Sequence, residues 1–506
     1  MVLALLVGGC TAGPSNRPAV AVRDAKAPPQ RFQQTPPSIS PLPPVGDYSR
    51  NSLSWRDCTG AINTALGVTS ARQVECSDLR VDATVARPAF GNSLRLDLTR
   101  IGDGPAPLVV LSEASDEPGT VRAARLAQQM PPTLLDRFTL IGLARRGTGP
   151  SEPLECIPKP VRNRILGIDP DPARAGQLDV LLDTARTAIQ TCVQDLGEVL
   201  TTINSTGTAD DLEQLRVALI APVLNVISHG EASRAVADFL RRYPNSVGRV
   251  VLDGAVDPTL DDMAAAEAEL VAADAGYTAF AADCVARGCP LGSDPRGALM
   301  ALGEALRRVP LQVGWLWITA GVAYQAVLET VGNPQRWPQL SHALAAARDG
   351  DGTELATLIA PLLGTERGLP ARFDPALATH CNDTPTRVPP ERAEQLVQQW
   401  QQRSALFGPL FAAQLLWCSA WPVPAPPPRA PPERPLPPVL VVATAGDPVT
   451  PAEGARRTAQ SLLSATLVTW QGQAHGALPH SACAVDLVTR FLTDASIPQQ
   501  GTLCPP

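Results

Sequence analysis

The sequence predicts an α/β protein with a doubly wound, mostly parallel sheet and a helical cap insertion. Short apolar runs bounded by Gly, Pro or polar residues indicate strands that are buried on both faces. Amphipathic stretches with a period of about 3.6 residues separate several of these runs, and this alternation is typical of parallel sheets covered by helices. Between Asp257 and Pro422 the strand signal disappears and Ala-rich helical segments take its place.

Length and composition exclude several classes of protein. The 506 residues suffice for one large domain with insertions, or for two to three smaller domains. Hydrophobic residues make up 44% and charged residues 18%, which is typical of a globular protein, and a mean hydropathy of +0.01 argues against several membrane spans. The net charge of -7 argues against nucleic acid as the main partner, because phosphate binding needs a basic face.

The strands and helices are predicted in chain order. Residues 93–101 alternate apolar and polar side chains, as a half-buried strand does. The segments 209–219 and 231–242 have the helical period and predict helices that cover the sheet. Six short, mostly apolar runs predict fully buried strands: 107–111, 138–142, 223–227, 250–252, 439–443 and 466–470.

The predicted domain organisation follows from where the strand signal stops and resumes. Six of the eight tryptophans lie in the helical segment, and we expect most of them to pack inside it. The chain has 52 prolines, which are densest at 28–44 and 422–438, and such runs are typical of extended connectors. The predicted parts are a lipoprotein signal remnant (1–10), a Pro-rich linker (11–48), the first part of the core (49–258), the cap (259–421), a Pro-rich connector (422–438) and the C-terminal part of the core (439–506).

The first ten residues indicate export. A short apolar run ends in Val7-Gly8-Gly9-Cys10, and small residues before a cysteine are typical of a bacterial lipoprotein signal. We expect a lipid on Cys10 to attach the protein to the outer face of the cytoplasmic membrane or to the cell envelope. The alternative is a frayed apolar terminus with an incidental cysteine.

The ten other cysteines support the same compartment, since an even number suits an exported protein with disulfides. No C-x2-C unit lies beside a second such unit or beside close histidines, so the sequence predicts no metal site, and we expect no cofactor. Order along the chain suggests that neighbouring cysteines pair, although spacing alone does not determine the connectivity. These pairs are Cys58 with Cys76, Cys156 with Cys192, Cys284 with Cys289, Cys381 with Cys418, and Cys483 with Cys504.

Three residues at predicted strand ends indicate nucleophilic catalysis. Ser228 lies where an apolar strand runs into a helix, Asp447 follows the strand at 439–443, and His475 follows the strand that ends at Trp470. A serine hydroxyl is a weak nucleophile until an imidazole takes its proton, and a carboxylate must orient that imidazole. The chain order Ser, Asp, His is that of α/β-hydrolases. The sequence therefore predicts Ser228 as nucleophile, Asp447 as acid and His475 as base.

Each of these residues also has a plain structural interpretation. Ser228 would be a helix N-cap, Asp447 a turn residue before proline, and His475 a loop histidine. Their occurrence in order at three strand ends favours the triad. We expect His229 to contribute its backbone N–H to the oxyanion site.

Several motifs resemble the tripeptidyl-aminopeptidase-like family of α/β-hydrolases, which are secreted or lipid-anchored serine exopeptidases of actinobacteria. The similarity covers about residues 50 to 504 and includes all five cysteine pairs. It implies an enzyme that releases short peptides from the N-terminus of a peptide or protein substrate through an acyl-enzyme, with Ser228, Asp447 and His475 as its triad. The motifs are RGTG (146–149), RVVLDGAVDP (249–258), GDPVTP (446–451), EGAR (453–456), SAC (481–483) and GTLC (501–504).

The sequence departs from this family around the predicted site. The family's nucleophile turn begins with glycine, whereas Val226 stands two residues before Ser228. The family's oxyanion loop reads Gly-Gly-Pro-Gly, and its counterpart here begins with Ser112 and Glu113, whose backbone we expect at the oxyanion site. Glu231 replaces a small or hydroxylated residue. Alternatives to a peptidase are therefore an esterase, or a surface lipoprotein that keeps the hydrolase fold as a binding module without catalysis or with weak activity.

Overall fold

The computed structural model describes residues 53–68, 72–83, 93–171, 176–364, 369–384, 386–421 and 436–506. Cys10, the linker 11–48 and most of the connector 422–438 lie outside these residues, so the statements about them stay predictions. Among the described helices, none is both long enough and apolar enough to cross a membrane.

A ten-stranded sheet forms the centre of the protein, and a separate two-stranded hairpin lies in the cap. The strands are β1 (Arg56–Asp57), β2 (Glu75–Asp82), β3 (Ser93–Ile101), β4 (Ala106–Leu111), β5 (Phe138–Leu143), β6 (Leu224–His229), β7 (Val247–Asp253), β8 (Leu311–Val313), β9 (Leu316–Ile318), β10 (Val439–Thr444), β11 (Ala465–Trp470) and β12 (Thr502–Cys504). The order in the large sheet is β1-β2-β3-β5-β4-β6-β7-β10-β11-β12. From β5 to β12 the neighbours are parallel, whereas β1, β2 and β3 pair antiparallel.

Helices cover both faces of the sheet and build the cap. They are α1 (Thr59–Leu66), α2 (Gly119–Gln129), α3 (Pro132–Arg137), α4 (Lys159–Gly167), α5 (Gln177–Leu196), α6 (Ser205–Ala218), α7 (Ser233–Arg242), α8 (Asp262–Ala286), α9 (Pro295–Arg308), α10 (Ala320–Val331), α11 (Trp337–Arg348), α12 (Thr353–Leu363), α13 (Phe373–Asp383), α14 (Pro390–Gln401), α15 (Gly408–Gln414), α16 (Ala452–Ser461) and α17 (Ala482–Asp494).

The buried parallel strands have the composition that the sequence predicted. Every residue of β4, β6, β7 and β10 is buried. Alternate side chains of β6 point to opposite faces, because Val226 packs in the core with α6, α7 and α16, whereas Ile227 packs in the core with α2 and α17. The predicted fold class, a doubly wound α/β-hydrolase sheet with a helical cap, is confirmed.

The cap is larger than the predicted segment 259–421. Helices α4 and α5 precede that segment, yet their side chains share one hydrophobic cluster with α8 to α15, and α4 contacts α10 and α12. A buried ion pair joins the two parts, with Arg162 Nε 2.7 Å from Asp374 Oδ1. Asp374 also accepts the backbone N–H of Ile157 at 2.8 Å. Amphipathic helices next to sheet strands in the sequence do not reveal which layer they join.

The five cysteine pairs named from the sequence are bonded in the structure: Cys58–Cys76, Cys156–Cys192, Cys284–Cys289, Cys381–Cys418 and Cys483–Cys504. The second connects the loop after β5 with α5, and the fourth lies within the cap. The last connects α17 with β12, so it ties the chain end to the helix that follows His475.

The ion pair between Arg162 and Asp374 provides a test of how the cap is held. Asp374→Ala leaves a fully buried guanidinium without its carboxylate, and we expect a loss of about 3–5 kcal/mol in the free energy of unfolding. Urea denaturation followed by circular dichroism measures it. The control is Asp349→Ala, which removes the exposed pair with Arg348 and should change stability little. Equal effects of the two changes would contradict the assignment.

Candidate active site

The carboxyl ends of the parallel strands bring Asp447 and His475 together. Asp447 follows β10 and His475 follows β11, and adjacent parallel strands end at the same edge of a sheet. His475 Nδ1 lies 3.1 Å from Asp447 Oδ1 and 3.2 Å from Oδ2. This is the arrangement in which a carboxylate orients an imidazole.

Asp447 is held by its own loop and by the loop of His475. Its Oδ1 accepts the backbone N–H groups of Val449 and Thr450, each at 2.9 Å. Its Oδ2 accepts the Thr450 hydroxyl at 2.8 Å and the Gly476 N–H at 2.9 Å. Because the side chain is fully buried and makes four such hydrogen bonds, the carboxylate has one orientation toward the imidazole.

The other ring nitrogen of His475 faces a carboxylate and not a hydroxyl. Nε2 lies 3.2 Å from Glu113 Oε1, and Glu113 Oε2 accepts the Glu231 N–H at 3.0 Å. Both side chains are nearly buried, at 13% exposure for His475 and 6% for Glu113. Burial disfavours both charges, but His475 holds the pKa of Glu113 far below its usual range, and Asp447 and Glu113 raise the pKa of His475 well above its usual value. His475 is therefore an imidazolium between two carboxylates at neutral pH.

Ser228 does not join this group, and the prediction that it is the nucleophile is corrected. Strand β6 continues to His229, so Ser228 lies inside the strand, in register with Leu111 of β4 and Leu252 of β7. Its side chain is fully buried, and its hydroxyl has no hydrogen-bond partner in the described part of the chain. The apolar run ends at Ile227, but the polar residues after it are still buried strand residues.

The sharp turn between strand and helix is at Gly230, which has a φ of +59°. In α/β-hydrolases the nucleophile stands on this strained turn, and positive φ favours glycine. A Cβ on Gly230 would lie 3.3 Å from His475 Cε1 and would overlap Glu113 Oε2. We call this the nucleophile position. Small residues, Ser228 and Ala232, stand two places on either side, as the two glycines do in G-x-S-x-G. Val226 is then an ordinary core residue.

The oxyanion donor also differs from the prediction. The residue after the nucleophile position is Glu231, so its backbone N–H, and not that of His229, has the position of an oxyanion donor. In this structure that N–H donates to Glu113 Oε2. The His229 ring lies beside the His475 ring, with 4.2 Å between centroids. The hydroxyl of Ser112 is buried without a hydrogen-bond partner in the described residues. Glu113 enters the site with its side chain rather than its backbone.

Glu231 itself is occupied by other groups. Arg145 Nη1 lies 2.6 Å from its Oε2, the Ser205 hydroxyl lies 3.3 Å from its Oε1, and the Ala114 N–H lies 3.4 Å from its Oε2. Its charge is therefore balanced inside the protein. The neighbouring Arg146 braces loops, since its guanidinium binds both carboxylate oxygens of Asp211.

Two glutamates of the cap lie near the same charges. Glu269 is on α8, and Glu329 is on α10, which ends next to Gly332, whose carbonyl accepts the N–H of His475 at 2.8 Å. Both glutamates are partly exposed, and within the described residues neither has an ion pair or a hydrogen-bond partner for its carboxylate. Burial raises the pKa of each to about 7, and the charge of Glu113 contributes to both shifts. No group of three or more metal-ligating side chains occurs in the described residues.

The arrangement of His475 between the carboxylates of Glu113 and Asp447 can be tested directly. Glu113→Gln removes one of the two carboxylates that stabilise the imidazolium, so we expect the pKa of His475 to fall. NMR titration of the ring nitrogens measures this, with the signal assigned by its loss in His475→Gln. Because the pKa of His475 is raised in the folded state, the interaction of its imidazolium with the two carboxylates stabilises the protein at neutral pH. This stabilisation disappears as the pH rises through the folded-state pKa. An unchanged titration in Glu113→Gln, with Glu117→Gln as control, would contradict the ion pair.

Comparisons with known proteins agree with this fold. A family model described as TAP-like protein matches residues 404–504. Serine protease Hip1 of Mycobacterium tuberculosis is 27% identical over 85% of this chain and 87% of its own length. Carboxylesterase B of the same species is 26% identical, covering 90% of each chain, and tripeptidyl aminopeptidase of Streptomyces lividans is 24% identical over 90% of this chain and 87% of its own. The C-terminal part of the chain therefore matches the TAP-like family model, and most of the chain is similar to serine hydrolases named as a protease, an esterase and a tripeptidyl aminopeptidase.

Proposed function

We propose that this serine hydrolase homologue recognises short peptides by their free amino terminus, the first step of the aminopeptidase activity for which one group of its relatives is named. The observation that carries the proposal is a pair of cap glutamates, Glu269 and Glu329, whose carboxylates have no hydrogen bond or ion pair within the described residues and which are both influenced by the charge of Glu113. The amine would bind at the cap, and the peptide would extend toward the carboxyl ends of β4 and β6.

The electrostatics favour a cation over a neutral ligand. Burial raises the pKa of Glu269 and Glu329 to about 7, although the positive charges of His380 and Arg234 lower the pKa of Glu269 and those of Arg372 and Arg336 lower the pKa of Glu329. The negative charge of Glu113 adds to both upward shifts. A peptide amine, with an ordinary pKa of about 8, is positively charged at pH 7. Its charge would stabilise both carboxylates and relieve their repulsion from Glu113. A simple ester offers no such charge, so the site favours peptides over the esters of the carboxylesterase relatives.

Glu231, the other acidic candidate, is a poorer amine ligand. Its carboxylate already binds Arg145, Ser205 and Ala114. An incoming amine would have to displace the buried guanidinium of Arg145, which would then remain without a partner. The cap glutamates need no such displacement.

Binding of trialanine and of N-acetyl-trialanine tests the proposal by calorimetry. We expect the free amine to increase affinity at least about tenfold, and the double variant Glu269→Gln/Glu329→Gln to lose that preference. Affinity should rise from pH 6 to pH 7.5 as the two glutamates lose their protons, and fall above about pH 8 as the amine does. The exposed cap residue Glu354 supplies the control Glu354→Gln. Equal binding of both peptides would refute amine recognition.

We also propose that the protein acts outside the cytoplasm, attached by a lipid on Cys10. The five disulfides support export, because such bonds form in oxidising compartments. Intact-mass spectrometry of protein extracted from membranes should show Cys10 as a lipid-bearing N-terminal residue, and Cys10→Ala should carry no lipid mass. An unmodified N-terminus in membrane-extracted protein would overturn this assignment.

A further inference from the structure

We infer that the nucleophile position is empty of any nucleophile, and that the carboxylate of Glu113 occupies the place of a serine hydroxyl and of the substrate oxygen, so that the protein binds peptides without forming an acyl-enzyme. The inference rests on the proposed function only for the identity of the ligand. It is carried by the backbone turn at Gly230 and by the contacts of Glu113.

The turn at Gly230 has the geometry of a nucleophile position but lacks the atom. An acyl-enzyme needs a bond from a side-chain oxygen to the substrate carbonyl carbon, with the hydroxyl proton passing to the base. The Cβ direction of residue 230 points at His475, yet glycine has no side chain to supply the oxygen. Ser228 does not replace it, because its hydroxyl lies within strand β6 and has no partner in the described residues.

Glu113 occupies two positions that a serine hydrolase needs free during the reaction, that of the serine oxygen and that of the substrate oxyanion. Its Oε1 lies 3.2 Å from His475 Nε2, where the serine oxygen would lie. Its Oε2 accepts the Glu231 N–H at 3.0 Å, where a substrate oxyanion would be stabilised. A substrate carbonyl could bind there only by displacing a carboxylate that contacts the Glu231 N–H, His475 Nε2 and the Ser115 hydroxyl. His475, already protonated, could not accept a further proton.

The carboxylate of Glu113 is not an effective substitute nucleophile. Its attack on a peptide carbonyl would join Oε to the carbonyl carbon and expel the amine, and the product would be an anhydride, which is less stable than the amide. The Ser115 hydroxyl does not replace a serine nucleophile either, because it donates to Glu113 Oε1 at 3.0 Å and the contact of His475 Nε2 is with Glu113. The bound peptide is therefore held and not cleaved.

Two substitutions should restore the missing chemistry. Gly230→Ser supplies a hydroxyl directed at His475, and Glu113→Gly removes the overlapping carboxylate and frees the Glu231 N–H. With a fluorophosphonate probe, the hydroxyl oxygen at position 230 would bond to phosphorus, fluoride would leave, and His475 would take the proton. The matched control Glu113→Gly/Gly230→Ala has the same Cβ and no hydroxyl.

The experiment compares fluorophosphonate labelling and p-nitrophenyl acetate hydrolysis in the wild type, in Glu113→Gly/Gly230→Ser and in the matched control. We expect no labelling of the wild type or the control, labelling at position 230 in the double variant, and a gain in ester hydrolysis of at least about a hundredfold. Labelling of the wild type at any serine, Ser115 included, would overturn the inference, and this measurement does not depend on the variants folding.

A folded double variant without labelling would also overturn the inference, because it would show that a serine at position 230 is not activated by His475. Circular dichroism and thermal unfolding establish folding for each variant. Trialanine binding to the wild type is measured separately. If binding fails while the double variant gains reactivity, the amine proposal is wrong and the inference about the nucleophile position holds.

Discussion

Three buried charges in a row, the carboxylate of Glu113, the imidazolium of His475 and the carboxylate of Asp447, determine the character of this site. Removing such charges from water is costly, and the cost is tolerable only where every oxygen and nitrogen finds a partner. Asp447 is satisfied by the loops after β10 and β11, and Glu113 by the N–H of Glu231 and the hydroxyl of Ser115. The net charge of the row is negative. Its influence reaches the cap, where it helps to raise the pKa of Glu269 and Glu329 to about 7.

The same row explains why positions 113 and 230 constrain each other. The Glu113 carboxylate can reach His475 only while residue 230 has no side chain, since even a Cβ would overlap Oε2. Conversely, a serine on the turn would need a small residue at position 113. Either combination gives His475 Nε2 a partner, a hydroxyl in one case and a carboxylate in the other. The two combinations differ in whether the imidazole is available to accept a proton, and this decides whether the site can start the reaction of a serine hydrolase.

The sequence predicts the sheet well because its buried strands are continuous apolar runs, and it predicts Asp447 and His475 because each directly follows such a run. The turn is harder to locate. In β6 the apolar run ends at Ile227, while the strand continues through two buried polar residues, so a prediction based on hydropathy ends the strand too early and selects Ser228. Small residues two places on either side of Gly230 are the signal that locates it. The position of the Glu113 side chain could not be predicted, because Glu113 and His475 are separated by 362 residues in the chain and their ion pair leaves no local sequence pattern.

The cap and the base are mechanically connected, and this bears on how a peptide would be placed. Helix α10 ends directly before Gly332, whose carbonyl accepts the N–H of His475, and Glu329 lies three residues earlier on the same helix. A displacement of this helix end would therefore move the Glu329 carboxylate, which we propose binds the amine, together with the backbone of His475. For an amino terminus anchored on Glu329, the distance to His475 would then be set by the last turn of α10, whereas Glu269 lies on α8. Under the proposed amine recognition, such a connection would select ligands by length as well as by charge, because only a carbonyl at one distance from the amine would reach His475.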